Sequence, residues 1–185
     1  MMKKKEGFTL VELLIVVAII AIVTGIAVPN VMSARIRARI SGAKSEMGSI
    51  AILLEDYKMD QEDHKYPADP ESTGLGADEI ATGYPISAGT VVGLGKLIYP
   101  TSSDSTPVYL STIPEDPFNN NDKPGGYYSY FTSGDTCWAL VSWGPDKSND
   151  INSYTNAKIA VESGTGMYDQ SKGLTTTGDI VIIGP

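Results

Sequence analysis

The stretch Lys4-Lys5-Glu6-Gly7-Phe8-Thr9-Leu10-Val11-Glu12 begins an apolar run that continues to Val28. Counted from Phe8, the run has about 20 residues, which is enough for a helix to cross the hydrocarbon core of a bilayer. Glu12 is the one charged residue inside it. Because lysines precede the run, the positive-inside rule predicts a cytoplasmic N-terminus and an exported remainder.

Glu12 distinguishes this run from two ordinary kinds of apolar segment. A conventional secretory signal has a shorter apolar core, and its cleavage site follows that core. A plain membrane anchor has no reason to carry a carboxylate in its first turn, because a charge in hydrocarbon costs several kcal/mol unless it is paired. Neither kind of segment explains Glu12.

Lysines are followed by Gly7 and Phe8, and Glu12 lies near the start of the apolar run. This order resembles the class III signal of type IV pilins and type II secretion pseudopilins. The resemblance implies that a membrane-embedded prepilin peptidase cuts between Gly7 and Phe8 and then N-methylates Phe8. Residues 1–7 are therefore predicted to be a leader peptide. Removal of the leader takes away three lysines and one glutamate, so the net charge changes from −8 to −10.

Glu12 is interpreted as a residue that sets the register of assembly. Cleavage creates a cationic amine at Phe8, and a neighbouring subunit could present that amine to the carboxylate of Glu12. The alternative is an unpaired carboxylate at the membrane interface.

A second, amphipathic segment follows the apolar run. Pro29 lies at the junction, and a proline inside a helix removes one hydrogen bond and bends the helix. Beyond it, apolar residues are spaced alternately by four and three, which lines one face of a helix: Ile36, Ile40, Ala43, Met47, Ile50, Leu54 and Tyr57. We predict a transmembrane helix over 8–28 and a stem helix over 29–60 that packs on the C-terminal sheet; a coiled-coil dimer is the alternative.

Residues 61–185 are predicted to form one globular domain together with the stem. Frequent turn signals separate short strand-like runs at 127–131, 138–143 and 180–183, and 94–98 is a candidate short helix. Residues 168–180 are predicted to form a hairpin-like closing segment. The expected fold class is α+β: a long N-terminal helix packed on a small antiparallel sheet with extended loops, as in the pilin fold.

The composition argues against several classes of protein. A formal charge of −8 disfavours a nucleic-acid partner. The single cysteine, Cys137, cannot form an intrachain disulfide and is predicted to be a buried core thiol, whereas the single histidine, His64, is predicted to be solvated. Catalytic motifs are absent from the sequence, so an enzyme is not expected. The paired acids are predicted to be solvated: Glu55-Asp56, Glu62-Asp63, Glu71, Asp78-Glu79 and Glu115-Asp116.

The segment Gly144-Pro145-Asp146-Lys147-Ser148-Asn149-Asp150-Ile151 is a candidate metal loop. With Pro114-Glu115-Asp116-Pro117 and Ser142-Trp143, it resembles the major pseudopilin of type II secretion systems, in which this loop binds calcium. The resemblance implies a Ca²⁺ ion held by Asp146 and Asp150, with further oxygens from Ser148, Asn149 and the Trp143 carbonyl. An Asx-type turn, in which Asp146 and Asn149 bond local amides, is the alternative. The loop is shorter than is usual in that family, Lys147 stands where a glycine is usual, and residues 151–185 run on past Asp150.

The expected function is that of a structural subunit of a type IV pilus-like filament. A type II secretion pseudopilin that polymerises through its N-terminal helix is favoured, because a single cysteine cannot close the disulfide loop typical of type IV pilins. A pilin for adhesion, twitching motility or DNA uptake is the first alternative, and a membrane-tethered binding module or enzyme is the second. The expected partners are prepilin peptidase, further copies of the chain, minor pseudopilins, an assembly platform protein, an ATPase and the membrane. The expected location is the inner membrane as a single-pass protein, and then a periplasmic or surface filament.

Overall fold

The computed structural model describes residues 7–68, 93–98, 109–119, 126–133, 136–174 and 176–185. Most of the predicted leader, residues 1–6, and the acids Glu71, Asp78 and Glu79 lie outside these ranges. The chain divides into two compact units, residues 1–38 and residues 39–185, which are described separately below.

The first unit contains the beginning of helix α1, which runs over Leu10–Asp60. Between Leu10 and Val28 its large apolar residues have exposed fractions of 46% to 78%. An 18-residue window of α1 has a mean hydropathy of 2.9 and no buried residue, so its length and composition allow it to cross a membrane. Pro29 lies inside α1 without ending it. The bend at Pro29 stays a prediction.

In the second unit, the C-terminal half of α1 buries the predicted apolar face, except that Ile36 lies in the first unit and is half-buried. The buried residues of α1 are Ile40, Ala43, Met47, Ile50, Leu54 and Tyr57. Two side chains from the sheet region donate hydrogen bonds to this half of the helix. The Tyr128 hydroxyl donates to Glu46 Oε2 at 2.6 Å, and Trp138 Nε1 donates to Glu55 Oε1 at 3.2 Å. The stem therefore packs on the chain's own domain, as predicted.

The sheet has three antiparallel strands in the order β1-β2-β3: Ser129–Ser133, Cys137–Ser142 and Ile180–Ile183. The first strand begins two residues later than predicted, and the second is shifted by one residue. Tyr127 instead forms an isolated bridge with Glu115. The predicted short helix at 94–98 is a 3-10 helix over Gly93–Leu97.

The other face of the sheet is covered by helix α2, Tyr154–Ser163, which was not predicted. Ser153 caps its first turn by accepting a hydrogen bond from Asn156 N, and Gly164 ends it in the left-handed conformation. The buried face of α2 is part of one core cluster. The other buried members of this cluster come from the three strands and from the loop between β2 and α2: Phe131, Ala139, Val141, Ile151 and Val181. The buried residues of α2 are Ala157 and Ala160, which are too small to form a recognisable apolar stripe in the sequence.

The closing segment differs from the predicted hairpin. Met167 and Asp179 form an isolated bridge, but the two backbones run parallel, and a 3-10 turn over Gln170–Lys172 lies between them. Parallel neighbours need a crossover connection rather than a tight hairpin turn. The hairpin prediction is therefore wrong.

Two predictions about single residues had different outcomes. His64 is exposed just beyond α1, as predicted. Cys137 is only half-buried, because it begins β2 at the end of the ladder opposite Ser133 rather than in the centre of the sheet. The prediction of a buried core thiol is therefore wrong.

Candidate assembly segment and candidate metal loop

The N-terminus of α1 carries the predicted cleavage and assembly residues. Gly7 and Phe8 precede the helix, and the Phe8 side chain is 81% exposed. Glu12 Oε2 accepts hydrogen bonds from Thr9 N at 2.8 Å and Thr9 Oγ1 at 2.6 Å, while Glu12 N donates to Thr9 Oγ1 at 3.3 Å. This reciprocal pattern is a capping box. Glu12 therefore stabilises the start of its own helix, a role that the Thr9-x-x-Glu12 spacing could have indicated.

The candidate metal loop, together with the preceding Trp143, is called the 143–151 loop below, and its start is held by Asp116. Its Oδ2 accepts a hydrogen bond from Trp143 N at 2.9 Å, and its Oδ1 accepts from Ser142 Oγ at 2.8 Å and Phe118 N at 3.0 Å. Asp116 is 4% exposed, so the prediction that it is solvated is wrong. Burial raises the pKa of this carboxyl, and the three donors act against that effect.

The end of the loop is held by Asp179, a residue that the sequence analysis missed. Asp179 Oδ2 accepts hydrogen bonds from Asp150 N at 3.0 Å and Ile151 N at 2.7 Å. The residue is fully buried, and its other oxygen, Oδ1, has no hydrogen-bond partner. Burial, reinforced by the negative charges of Asp150 and Asp146, raises the pKa of Asp179 to about 7.

The loop itself brings three of the predicted calcium ligands into one hydrogen-bonded turn. Asp146 Oδ1 accepts from Ser148 N at 3.3 Å, and Ser148 Oγ donates to Asp150 Oδ1 at 3.2 Å. The first contact is an Asx turn, so the Asp146 part of the alternative is present. Asn149 is exposed, and Trp143 is half-buried with its backbone amide on Asp116.

Tight packing joins this loop to the segment that carries Asp179. Asp146 Oδ2 accepts a hydrogen bond from Gly178 N at 3.1 Å. Gly144 has φ +68°, and a Cβ at that position would overlap the carbonyl oxygen of Gly178. A glycine is therefore required here both by backbone conformation and by space.

The oxygen atoms in this region are of types that bind calcium, but among the described residues they are not gathered into a metal-binding cluster. Calcium prefers carboxylate, hydroxyl and carbonyl oxygens, which Asp146, Asp150, Ser148 and the backbone provide. The unpartnered Oδ1 of Asp179 adds a buried carboxylate oxygen beside the loop. In the ranges that the structure describes, however, no three His, Cys, Asp or Glu side chains are gathered closely enough to hold a metal ion. A calcium ion here would therefore depend on neutral oxygens as well as carboxylates.

Comparisons with known proteins match both parts of the chain. Residues 2–28 match the family described as the prokaryotic N-terminal methylation motif. The type II secretion system core protein G of Pseudomonas aeruginosa is 29% identical over 124 residues, covering 64% of this chain and 71% of the relative. The protein of the same name in Escherichia coli is 28% identical over 146 residues, covering 77% and 83%. No solved structure matches.

A type IV major fimbrial protein of Dichelobacter nodosus is 32% identical over 113 residues, covering 59% of this chain and 71% of the relative. Together with the methylation motif, the long apolar helix and the three-stranded sheet, this similarity defines a class of structural filament subunits. The chain belongs to the type IV pilin-like family. The predicted α+β pilin fold, the pilin-like precursor and the resemblance to the major pseudopilin are confirmed.

Proposed function

We propose that this chain is a pseudopilin of a type II secretion system, in which it polymerises into a short filament that supports protein export. The extent of the similarity supports this assignment. The two secretion proteins match 64% and 77% of the chain, whereas the wide pilus component of Thermus thermophilus and a fimbrial protein of Pseudomonas aeruginosa match 32% and 39%. The longer matches therefore include much of the globular domain.

A type IV pilin is the second candidate, because the Dichelobacter fimbrial protein matches 59% of the chain. Deletion of the gene separates the two candidates. Loss of secreted proteins with intact surface attachment and motility supports the pseudopilin, and the reverse result supports the pilin. In either case we infer that the chain acts as a structural subunit and not as an enzyme.

The exposed apolar segment of α1 is the basis of the membrane insertion, processing and assembly that we propose for the subunit. The precursor is held in the inner membrane by this single segment, with its N-terminus in the cytoplasm. Prepilin peptidase removes residues 1–7 and N-methylates Phe8. An assembly platform protein and its ATPase then move the subunit into a periplasmic filament, where it meets other copies and minor pseudopilins.

We also propose that the 143–151 loop binds Ca²⁺ through Asp146, Asp150 and Ser148, with Asn149 and the Trp143 carbonyl as further donors. The contacts among Asp146, Ser148 and Asp150 support this assignment. An ion that binds only the folded state stabilises that state by mass action. In a chain without a disulfide, calcium would order this end of the domain.

A further inference from the structure

The first unit of the chain carries two exposed cations shortly after its apolar segment. Arg35 and Arg37 are both exposed on α1, and neither forms an ion pair with any residue that the structure describes. Their own helix offers no nearby acidic partner, because the sequence has no aspartate or glutamate between Glu12 and Glu46. In a chain whose net charge is −8, this part is therefore an isolated basic region.

The depth of these arginines relative to a membrane follows from helix geometry. The apolar run ends at Val28, and at 1.5 Å per residue Arg35 lies about 10 Å and Arg37 about 13 Å beyond it along α1. A long side chain on a helix points back over the preceding turn, which brings its charge about 5 Å closer to the hydrocarbon. The polar interface of a bilayer is about 5–8 Å thick on each side. Both guanidinium groups therefore come within reach of the lipid headgroups.

The arrangement of the two arginines around the helix indicates which kind of partner they fit. Successive residues of an α-helix are about 100° apart, so Arg35 and Arg37 lie on nearly opposite sides of α1. A single neighbouring protein would face one side of the helix, whereas a layer of headgroups surrounds the helix on every side. Phosphate groups also complement the charge, and arginine binds phosphate through two parallel hydrogen bonds.

We propose that Arg35 and Arg37 bind the phosphates of anionic phospholipids in the exported leaflet of the membrane. This inference rests on the membrane insertion proposed above, with the N-terminus in the cytoplasm. The precursor also has lysines on the cytoplasmic side of its apolar run, but removal of the leader takes them away. The two arginines then remain as side-chain cations at headgroup depth, and they hold the mature subunit at a fixed depth until it enters a filament.

The experiment counts the lipids that bind to the full-length protein in detergent. Phosphatidylglycerol and phosphatidylcholine are added in equal amounts, and native mass spectrometry measures how much of each is bound. Arg35→Gln/Arg37→Gln removes both charges but keeps side chains that favour a helix. Arg39→Gln/Lys44→Gln is the matched control, because it removes two exposed cations that lie about 16 Å or more beyond Val28 on the same helix.

The wild-type protein and the control should both prefer phosphatidylglycerol. Arg35→Gln/Arg37→Gln should bind phosphatidylglycerol about tenfold or more weakly than the control, since each basic residue near an anionic surface strengthens binding several-fold. Its binding of phosphatidylcholine should not change. Equal losses in the two variants would indicate a general effect of charge and would overturn the proposal. Unchanged lipid binding together with a loss of filaments in Arg35→Gln/Arg37→Gln would also overturn it, because the arginines would then contact a neighbouring subunit.

A separate measurement tests the membrane insertion on which the inference rests. Alkaline carbonate should leave the wild-type protein in the membrane fraction, because the apolar segment crosses the bilayer. Release of the protein by carbonate would contradict the insertion itself. Retention in the membrane, with lipid binding unaffected by Arg35→Gln/Arg37→Gln, would overturn only the role of the two arginines.

Discussion

Asp116 and Asp179 hold opposite ends of one loop: the first accepts a hydrogen bond from Trp143 N at 2.9 Å, and the second accepts one from Ile151 N at 2.7 Å. Each aspartate lies more than 25 residues away in sequence from the amide that it binds. The loop is thus fixed by two buried carboxylates from separate parts of the chain. Its conformation depends on tertiary structure as well as on its own turn residues.

Removing the first of these carboxylates should destabilise the domain. Asp116→Ala leaves the buried donors of Phe118, Ser142 and Trp143 without their acceptor, and we expect the free energy of unfolding to fall by about 2–4 kcal/mol. Chemical denaturation of the full-length protein in detergent measures the change. Asp63→Ala is the control, because Asp63 is exposed and its 3.8 Å ion pair with Lys65 is solvated. Equal stabilities of the two variants would contradict this account.

The contact between Gly144 and Gly178 gives a second prediction. Gly144→Ala places a methyl group in a left-handed backbone conformation and against the carbonyl oxygen of Gly178, so we expect a loss of about 2 kcal/mol or more. Gly164→Ala is a matched control, since Gly164 has the same φ of +68° but open space around its Cβ position. That variant should lose only about 1 kcal/mol, from backbone strain alone. Denaturation midpoints of the two variants should differ accordingly, and a smaller loss in Gly144→Ala would contradict the packing argument.

Local patterns in the sequence were sufficient to predict the helices and strands that have large apolar faces. The stem stripe from Ile40 to Tyr57 is buried as predicted, and all three strands lie within two residues of their predicted positions. Helix α2 was missed because its buried face consists of two alanines. Asp116 was predicted to be solvated and Asp179 was not singled out, because most of their partners are amides that only the folded chain brings near them. The local turn of the candidate loop could therefore be predicted from the sequence, whereas its long-range contacts with Asp116 and Asp179 could not.

Leader removal should depend on Gly7. By resemblance the peptidase cuts after this glycine, and an extended backbone at the cut leaves no room for a side chain, which glycine alone lacks. Gly7→Val should therefore accumulate as the uncleaved precursor, whereas the wild-type protein should begin at Phe8 with one added methyl group. Intact-mass spectrometry of membrane fractions distinguishes the two forms. A wild-type protein that still begins at Met1 would contradict the proposed processing.

The two roles of Glu12 can be separated by a pair of substitutions. Glu12→Ala removes both the capping box with Thr9 and the negative charge, whereas Glu12→Gln keeps a side chain that can complete a capping box but has no charge. If the carboxylate pairs with the Phe8 amine of a neighbouring subunit, both variants should be cleaved normally, and both should fail to form filaments. Mass spectrometry measures cleavage, and electron microscopy of sheared filaments measures assembly. Thr9→Ala, which weakens the cap but keeps the charge, should still assemble. Normal filaments in Glu12→Gln together with defective ones in Thr9→Ala would show that capping, and not charge pairing, is what assembly requires.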